Sequence, residues 1–199
     1  MKRREFLGAG AVTAALTMAG TASAMTGGRR DALVVFDSRF EEARRFAHVA
    51  TEKHGLRAFG FTEDATALWH DQLVGALSQG TSVIGLTAGG ARFCLHLMAG
   101  PGMRLVHHVT HTAAASQHVC WTGEKGTDQE LRCAPAWPDQ AVRIAVRQAI
   151  KTPGLKASLA VSRQYPGYRL PAAEHLESWL LAPAPAALRG PRPFADWIS

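Results

Sequence analysis

Histidines cluster in one apolar, strand-like stretch of this chain, and imidazole nitrogens are common transition-metal ligands. His107 and His111 occupy alternating positions of that stretch, so a strand would project both rings from the same face. His118 follows on the next predicted strand and would complete a three-nitrogen site for Zn or Cu. The same pattern also fits solvated strand histidines, because the sequence contains no recognised ligand spacing and no Cys-x-x-Cys-His motif.

A second group of polar residues directly follows three predicted strands. In an open α/β sheet, ligands bind beyond the carboxyl ends of the strands, where backbone amides at helix N-termini are unpaired. The residues expected at that edge are two carboxylates, two hydroxyls and two glycines: Asp37, Ser38, Asp64, Thr87, Gly89 and Gly90. The glycines would let a small anionic ligand approach backbone N–H groups, or would only allow a tight turn that packs a helix on its strand.

Asp37 stands where a strand-end nucleophile or metal ligand would stand, so a small hydrolase is one alternative function. A carboxylate of Glu63 or Asp64 would serve the same purpose. The comparison with phosphatases that carry an Asp at this place fails two residues later, where their second Asp is Arg39 here. Asp37 also fits a simple role in a helix cap. The sequence contains no dinucleotide fingerprint, no phosphate-binding P-loop and no Gly-x-Ser-x-Gly elbow.

Strands and amphipathic helices are predicted to alternate along the first part of the chain. The predicted strands span residues 32–36, 56–61, 82–86 and 104–110. The first helix is predicted to start at a capping box of Ser38 with Glu41 and to end at Gly55. The second is predicted to start at Asp64. The third is predicted to be capped by Thr87 and to end at 100–102. Strands that alternate with helices in this way form right-handed crossovers and a parallel sheet.

The predicted fold class is therefore α/β, with a Rossmann-like or flavodoxin-like, doubly wound and mostly parallel sheet. A β-hairpin, a helix at about 138–151 and a late strand at 176–181 are expected to follow. The predicted organisation is a leader at 1–24, a single domain at 25–182 and an irregular, proline-rich tail at 183–199.

In an oxidising compartment, the three cysteines of this chain would form one disulfide and leave one thiol. A turn at Gly126-Thr127 would place Lys125 opposite Asp128, Trp121 opposite Arg132, and Cys120 opposite Cys133. This hairpin predicts a Cys120–Cys133 bridge, provided that the two residues form a close cross-strand pair. Cys94 lies in an apolar helical pattern and is expected to be a buried small hydrophobic residue.

The N-terminus carries a basic head, an uncharged stretch at 8–24 and the small-residue ending Ala22-Ser23-Ala24. The consecutive Arg3 and Arg4, followed by Phe6-Leu7, resemble the twin-arginine (Tat) family of export signals, which a receptor reads. The resemblance covers only these first residues. It implies the Tat machinery as a partner and a periplasmic location, while a membrane anchor is the alternative interpretation of the uncharged stretch.

Charge and length restrict the remaining functions. The formal charge of +6 falls to +4 when residues 1–24, with three basic and one acidic residue, are removed. This mild excess without Lys or Arg blocks does not predict nucleic-acid binding. Alanine, glycine and threonine dominate the uncharged stretch, and no later segment is long and apolar enough for a stable membrane span.

The predicted function is an exported, periplasmic α/β accessory or ligand-binding protein. Its partner would be a periplasmic protein or a small anionic ligand at the strand-end edge. The first alternative is a transition-metal-binding protein that uses His107, His111 and His118. The second is the small hydrolase with a strand-end carboxylate.

Overall fold

A computed structural model describes residues 32–112, 117–152 and 175–185. The strands are β1 (Ala32–Asp37), β2 (Arg57–Phe61), β3 (Ser82–Ala88), β4 (Met103–Thr112), β5 (His118–Thr122) and β6 (His175–Pro183). The helices are α1 (Glu41–His54), α2 (Ala65–Leu68), α3 (Val74–Ser78), α4 (Gly89–Ala99), α5 (Thr127–Arg132) and α6 (Trp137–Lys151). A π-helical segment, Trp69–Leu73, joins α2 to α3, and a 3-10 turn, Gly100–Gly102, follows α4.

The six strands form one open mixed sheet in the order β2-β1-β3-β6-β4-β5. β1 pairs in parallel with β2 and β3, as the alternation of strands and helices predicts. β6 enters from far along the chain and pairs antiparallel with both β3 and β4. The predicted fourth strand therefore does not lie beside the third, and β5 forms an antiparallel edge on β4.

Helices cover both faces of the sheet and define two apolar cores. On one face, α1 and α6 bury Phe46 and Ile144 against the strands. On the other face, the α2 to α4 segment buries Leu73 and Leu95 beside Trp179. β1 lies between the two cores and is apolar on both sides, which explains its continuous hydrophobic run.

Two glycines show how local sequence and packing agree. Gly55 ends α1 in the left-handed region with φ 65°, and its N–H satisfies carbonyl groups of the last turn. Gly85 lies under the indole of Trp179, where a Cβ would come within 2.1 Å of the ring. A side chain at Gly85 would therefore force the Trp179 indole out of its position.

The predicted hairpin and its disulfide are wrong. Residues 127–132 form α5 rather than a strand, and Cys120 and Cys133 are both free, one half-buried and one exposed. An Asp128–Arg132 ion pair at helical spacing, with an Nη2–Oδ2 distance of 3.0 Å, supports the helix. β5 pairs instead with β4, with Val109 opposite Cys120.

Cys94 is exposed, contrary to the expectation of a buried residue. The buried residue of α4 is Leu95, while Phe93 and Leu97 are 56% and 65% exposed. The apolar residues on this short helix outnumber the positions that face the sheet, so their spacing alone does not select the buried ones.

The predicted domain, 25–182, begins outside the described residues and ends within them. The leader at 1–24, with Arg3 and Arg4, and the tail beyond Pro185 lie outside the described residues. The fold continues past residue 182, because Ala184 is buried and its N–H donates to the carbonyl of Gly102 at 2.9 Å. Within the described ranges, no helix combines the length and apolarity needed to cross a membrane.

Candidate functional site

The polar residues at the end of β1 make contacts within the protein. Asp37 is fully buried, and both of its carboxylate oxygens accept hydrogen bonds from the guanidinium of Arg39, at 2.9 and 2.7 Å. Ser38 does not cap α1, because the helix begins at Glu41 and the Ser38 hydroxyl donates to the carbonyl of Phe61 at 2.8 Å. The paired Asp37 carboxylate is thus held away from the role of a nucleophile.

Of the two helix caps predicted after β2 and β3, one is confirmed and the other is wrong. Asp64 caps α2 as predicted, since its side chain accepts from the N–H of Thr66 at 2.8 Å. Thr87 belongs to β3 and is not a cap; the cap position of α4 is Ala88. The buried Thr87 hydroxyl accepts from the indole N–H of Trp179 at 3.0 Å. Asp64 is exposed and Thr87 is buried, so they do not present one shared surface.

The Glu177 carboxylate lies beside the first turn of α4. A Cβ at Gly89 would lie 3.0 Å from Oε1 of Glu177 and 3.0 Å from Nε2 of His175, whereas one at Gly90 would meet open space. Gly89 therefore gives room to the Glu177 carboxylate, which occupies the place predicted for an anionic ligand. This geometry favours a packing role for the glycine.

Glu177 is the centre of a charged cluster on the α4 face of the sheet. It is 4% exposed and forms a short ion pair with the guanidinium of Arg92. Nε2 of His108 lies 3.3 Å from Oε2 and Nε2 of His175 lies 3.5 Å from Oε1. Burial by itself raises the pKa of Glu177, but the nearby His108 and the ion-paired Arg92 outweigh it and lower the pKa to about 2.

The predicted histidine group is brought together on the opposite, α6 face of the sheet. Nδ1 of His111 lies 2.8 Å from Nδ1 of His118, and Nε2 of His111 lies 2.8 Å from Oγ of Ser178. Ser178 Oγ also lies 3.2 Å from Nε2 of His107, whose Nδ1 lies 3.3 Å from Nε2 of Gln148. These five side chains, each at most 5% exposed, form one buried hydrogen-bonded chain, here called the histidine chain.

Burial keeps the histidine chain neutral. Desolvation lowers the pKa of His107 to about 3, and the neighbouring His108 adds to the shift. The pKa of His111 lies well below its ordinary value, mainly through burial and secondly through His118. Burial and the charge of Arg132 lower the pKa of His118. A neutral imidazole has one donor and one acceptor nitrogen, which suits a chain of hydrogen bonds.

The three imidazoles do not converge on one point as metal ligands would. His107 and His111 share Ser178 rather than an open position, and His111 contacts His118 through a hydrogen bond. Among the described residues, no group of three His, Cys, Asp or Glu side chains is arranged to hold a metal ion. The Zn or Cu site therefore stays a prediction, because the geometry does not direct three ligand nitrogens at one position.

A cavity of about 440 Å³ lies at the outer end of the histidine chain. His118 and Trp137 line it, and Trp137 stacks on His111 with ring centroids 4.2 Å apart. The other walls come from the start of α1, from α5, from the segment before α6 and from the first turn of α6: Glu41, Glu42, Arg45, Leu131, Arg132, Ala134, Pro135, Ala136 and Pro138. None of the predicted strand-end residues contributes to this lining.

The sequence pattern predicts the histidine group but not its partners. Ser178 and Glu177 fall within the predicted late strand and Gln148 within a predicted helix, and the pattern gives none of them a further role. A local signal was present, since polar residues at buried positions of an apolar strand or helix need partners. The sequence does not identify those partners, because β6 and α6 are distant in sequence from β4. Comparisons with protein-family models, with curated proteins and with solved structures gave no match.

Proposed function

We propose that the chain is an exported α/β ligand-binding or accessory protein whose ligand occupies the cavity beside His118. The observation that carries this proposal is that a buried, fully connected polar chain ends at a cavity wall. Burying Ser178, Gln148 and three imidazoles is costly, and well-packed apolar residues would stabilise the core at lower cost. Such departures from an apolar core are expected at functional sites.

The cavity supports binding better than the strand-end edge does. At that edge, Asp37 is paired with Arg39, and Glu177 lies beside the α4 N-terminus. The cavity instead offers ring nitrogen, guanidinium and indole groups within one concave surface, which is typical of small-ligand sites. The metal-binding and hydrolase functions remain alternatives; the first needs a third ligand and the second a carboxylate other than Asp37.

For the fold, we infer that β1, β2 and β3 form one half of a doubly wound sheet. Their order, with α1 on one face and the α2 to α3 segment on the other, supports this inference. The antiparallel strands β4, β5 and β6 then add the half that supplies the three histidines and Ser178 of the histidine chain.

Filling the cavity is expected to abolish ligand binding. We predict that Ala136→Trp, at the cavity wall, removes the hits that the wild-type chain gives when a library of small metabolites is screened by ligand-observed NMR. Ala67→Trp, the same change at an exposed position of α2, is the matched control and should keep them. Hits that survive Ala136→Trp in a folded protein would place the ligand elsewhere and contradict the proposed site.

Export is the second element of the proposal and rests on Arg3 and Arg4. We predict that their joint replacement by Lys leaves the precursor in the cytoplasm, because a Tat receptor reads the paired guanidinium groups rather than charge alone. Cell fractionation with immunoblotting measures this. The downstream pair Arg29 and Arg30, replaced in the same way, is the control and should not affect export. Normal periplasmic accumulation of the Arg3, Arg4 variant would refute the assignment.

A further inference from the structure

We propose that the histidine chain fixes the proton of His118 on Nε2, so that the cavity presents an N–H donor and accepts a small organic monocarboxylate. This inference rests on the proposed binding function and names the ligand class for the same cavity. It assigns a positioning role to Gln148, which contacts His107 at the far, buried end of the chain.

The direction of the chain follows from the donor at that end. Gln148 Nε2 only donates, so His107 Nδ1 accepts and the His107 proton lies on Nε2. Ser178 Oγ accepts that proton's hydrogen bond and gives its own to Nε2 of His111. His111 then carries its proton on Nδ1 and donates to Nδ1 of His118. Nε2 is the position left for the His118 proton.

An additional proton on the histidine chain would break this order of donors and acceptors. An additional proton on Nδ1 of His118 would face the N–H of His111 across a 2.8 Å contact, with two donors and no acceptor. Burial of His111 and His107 opposes a positive charge there independently. With Nε2 of Gln148 as the donor to His107, the neutral chain therefore has one arrangement in which every internal hydrogen bond is made. Within the described residues, Nε2 of His118 has no partner and is the ring nitrogen available to the cavity.

Guanidinium donors remain available on the same wall. Asp139 accepts from Nε and Nη2 of Arg45, and this leaves Nη1 without a partner among the described residues. Asp128 accepts only from Nη2 of Arg132. Together with Nε2–H of His118, these groups supply N–H donors of the kind that bind a carboxylate through charge-assisted hydrogen bonds.

The remaining lining limits the ligand further. Glu41 and Glu42 also line the cavity and repel each negative charge of a ligand, so among anionic ligands a single carboxylate fits better than a phosphate ester or a dicarboxylate. Trp137 adds an aromatic wall beside which a planar or apolar body packs. A monocarboxylate with an aromatic ring therefore satisfies the donors and the apolar wall together.

The tautomers can be measured without any ligand. In long-range ¹H–¹⁵N spectra of the folded chain, His107 and His118 should be protonated on Nε2 and His111 on Nδ1. Gln148→Leu removes the orienting donor, and the ratio of the two His118 tautomers should then change by roughly fivefold, the effect of one net hydrogen bond. Gln72→Leu, at an exposed position, should leave the spectra unchanged. Gln148→Met is a second variant with a more flexible side chain, for use if Leu prevents folding.

A His118 proton on Nδ1 in the wild-type spectrum would overturn the inference. An unchanged tautomer ratio in folded Gln148→Leu and Gln148→Met would do the same, because Gln148 would then have no orienting role.

The ligand class is tested with three compounds that share one ring. Benzoate should bind more tightly than benzamide, and benzamide more tightly than benzylamine, in titrations that follow the ¹⁵N resonance of His118. Absence of benzoate binding, or tighter binding of benzylamine, overturns the monocarboxylate assignment. The proposed function is tested by a different experiment. It fails if library hits persist in the Ala136→Trp variant, whatever the result with benzoate.

Discussion

Lowering the pH from 7 towards 4 is expected to destabilise the protein strongly, because the histidine chain is buried in its neutral form. The folded-state pKa of His107 is about 3, whereas the ordinary value is 6.5. Between these values the unfolded chain binds a proton that the folded chain does not, so stability is complete above about pH 6.5 and is lost progressively as the pH falls. His111, also lowered well below its ordinary pKa, acts in the same direction.

The expected size of this effect is comparable with the whole stability of a domain. For His107 alone, the difference in pKa corresponds to a loss on the order of 5 kcal/mol by pH 3, against a typical total of about 5 to 15 kcal/mol. Chemical denaturation at a series of pH values measures the slope. The double variant His107→Gln, His111→Gln should show a much smaller slope between pH 6.5 and 4, whatever its absolute stability.

His48→Gln is the control for this experiment, because His48 is exposed on α1. Its slope should match that of the wild-type chain. If the double histidine variant keeps the wild-type slope, the buried imidazoles are not the source of acid sensitivity, and the neutral histidine chain is contradicted.

Removing the Glu177 carboxylate is expected to cost about 3 kcal/mol of unfolding free energy at pH 7. Glu177→Ala would leave Arg92 and His108 without their shared partner in a largely buried position. Since the folded-state pKa of Glu177 is lowered from 4.5 to about 2, its contribution is present above about pH 4.5 and is lost as the pH falls through about 2. Equilibrium denaturation at pH 7 and between pH 5 and 2 measures both effects.

Two further variants separate charge from shape at this position. Glu177→Gln keeps the shape of the side chain and should remove the Glu177 part of the acid dependence below pH 4.5. Glu52→Gln, the same change at an exposed position of α1, should alter neither the stability at pH 7 nor its acid dependence. Wild-type stability of Glu177→Ala at pH 7 would show that the charged cluster does not stabilise the fold.

Much of the local structure was predictable from short-range patterns. The apolar run of β1, Gly55 at the end of α1 and Asp64 at the start of α2 each follow from properties of neighbouring residues. The segment 127–132 shows the limit of such patterns. A cross-strand register and a helical Asp128–Arg132 spacing were both compatible with the sequence, and tertiary contacts favour the helix, since Gln140 and Arg147 of α6 bind Glu130.

The sequence alone determined the alternation of strands and helices, the parallel start of the sheet, and the shared strand face of His107 and His111. Only the tertiary structure decided where β6 enters. Insertion between β3 and β4 places Ser178 on one face, against the histidines, and Glu177 on the other, against Arg92. The physical reason is that side-chain alternation within a strand is local, whereas strand order depends on burying two apolar faces together, which no short segment specifies.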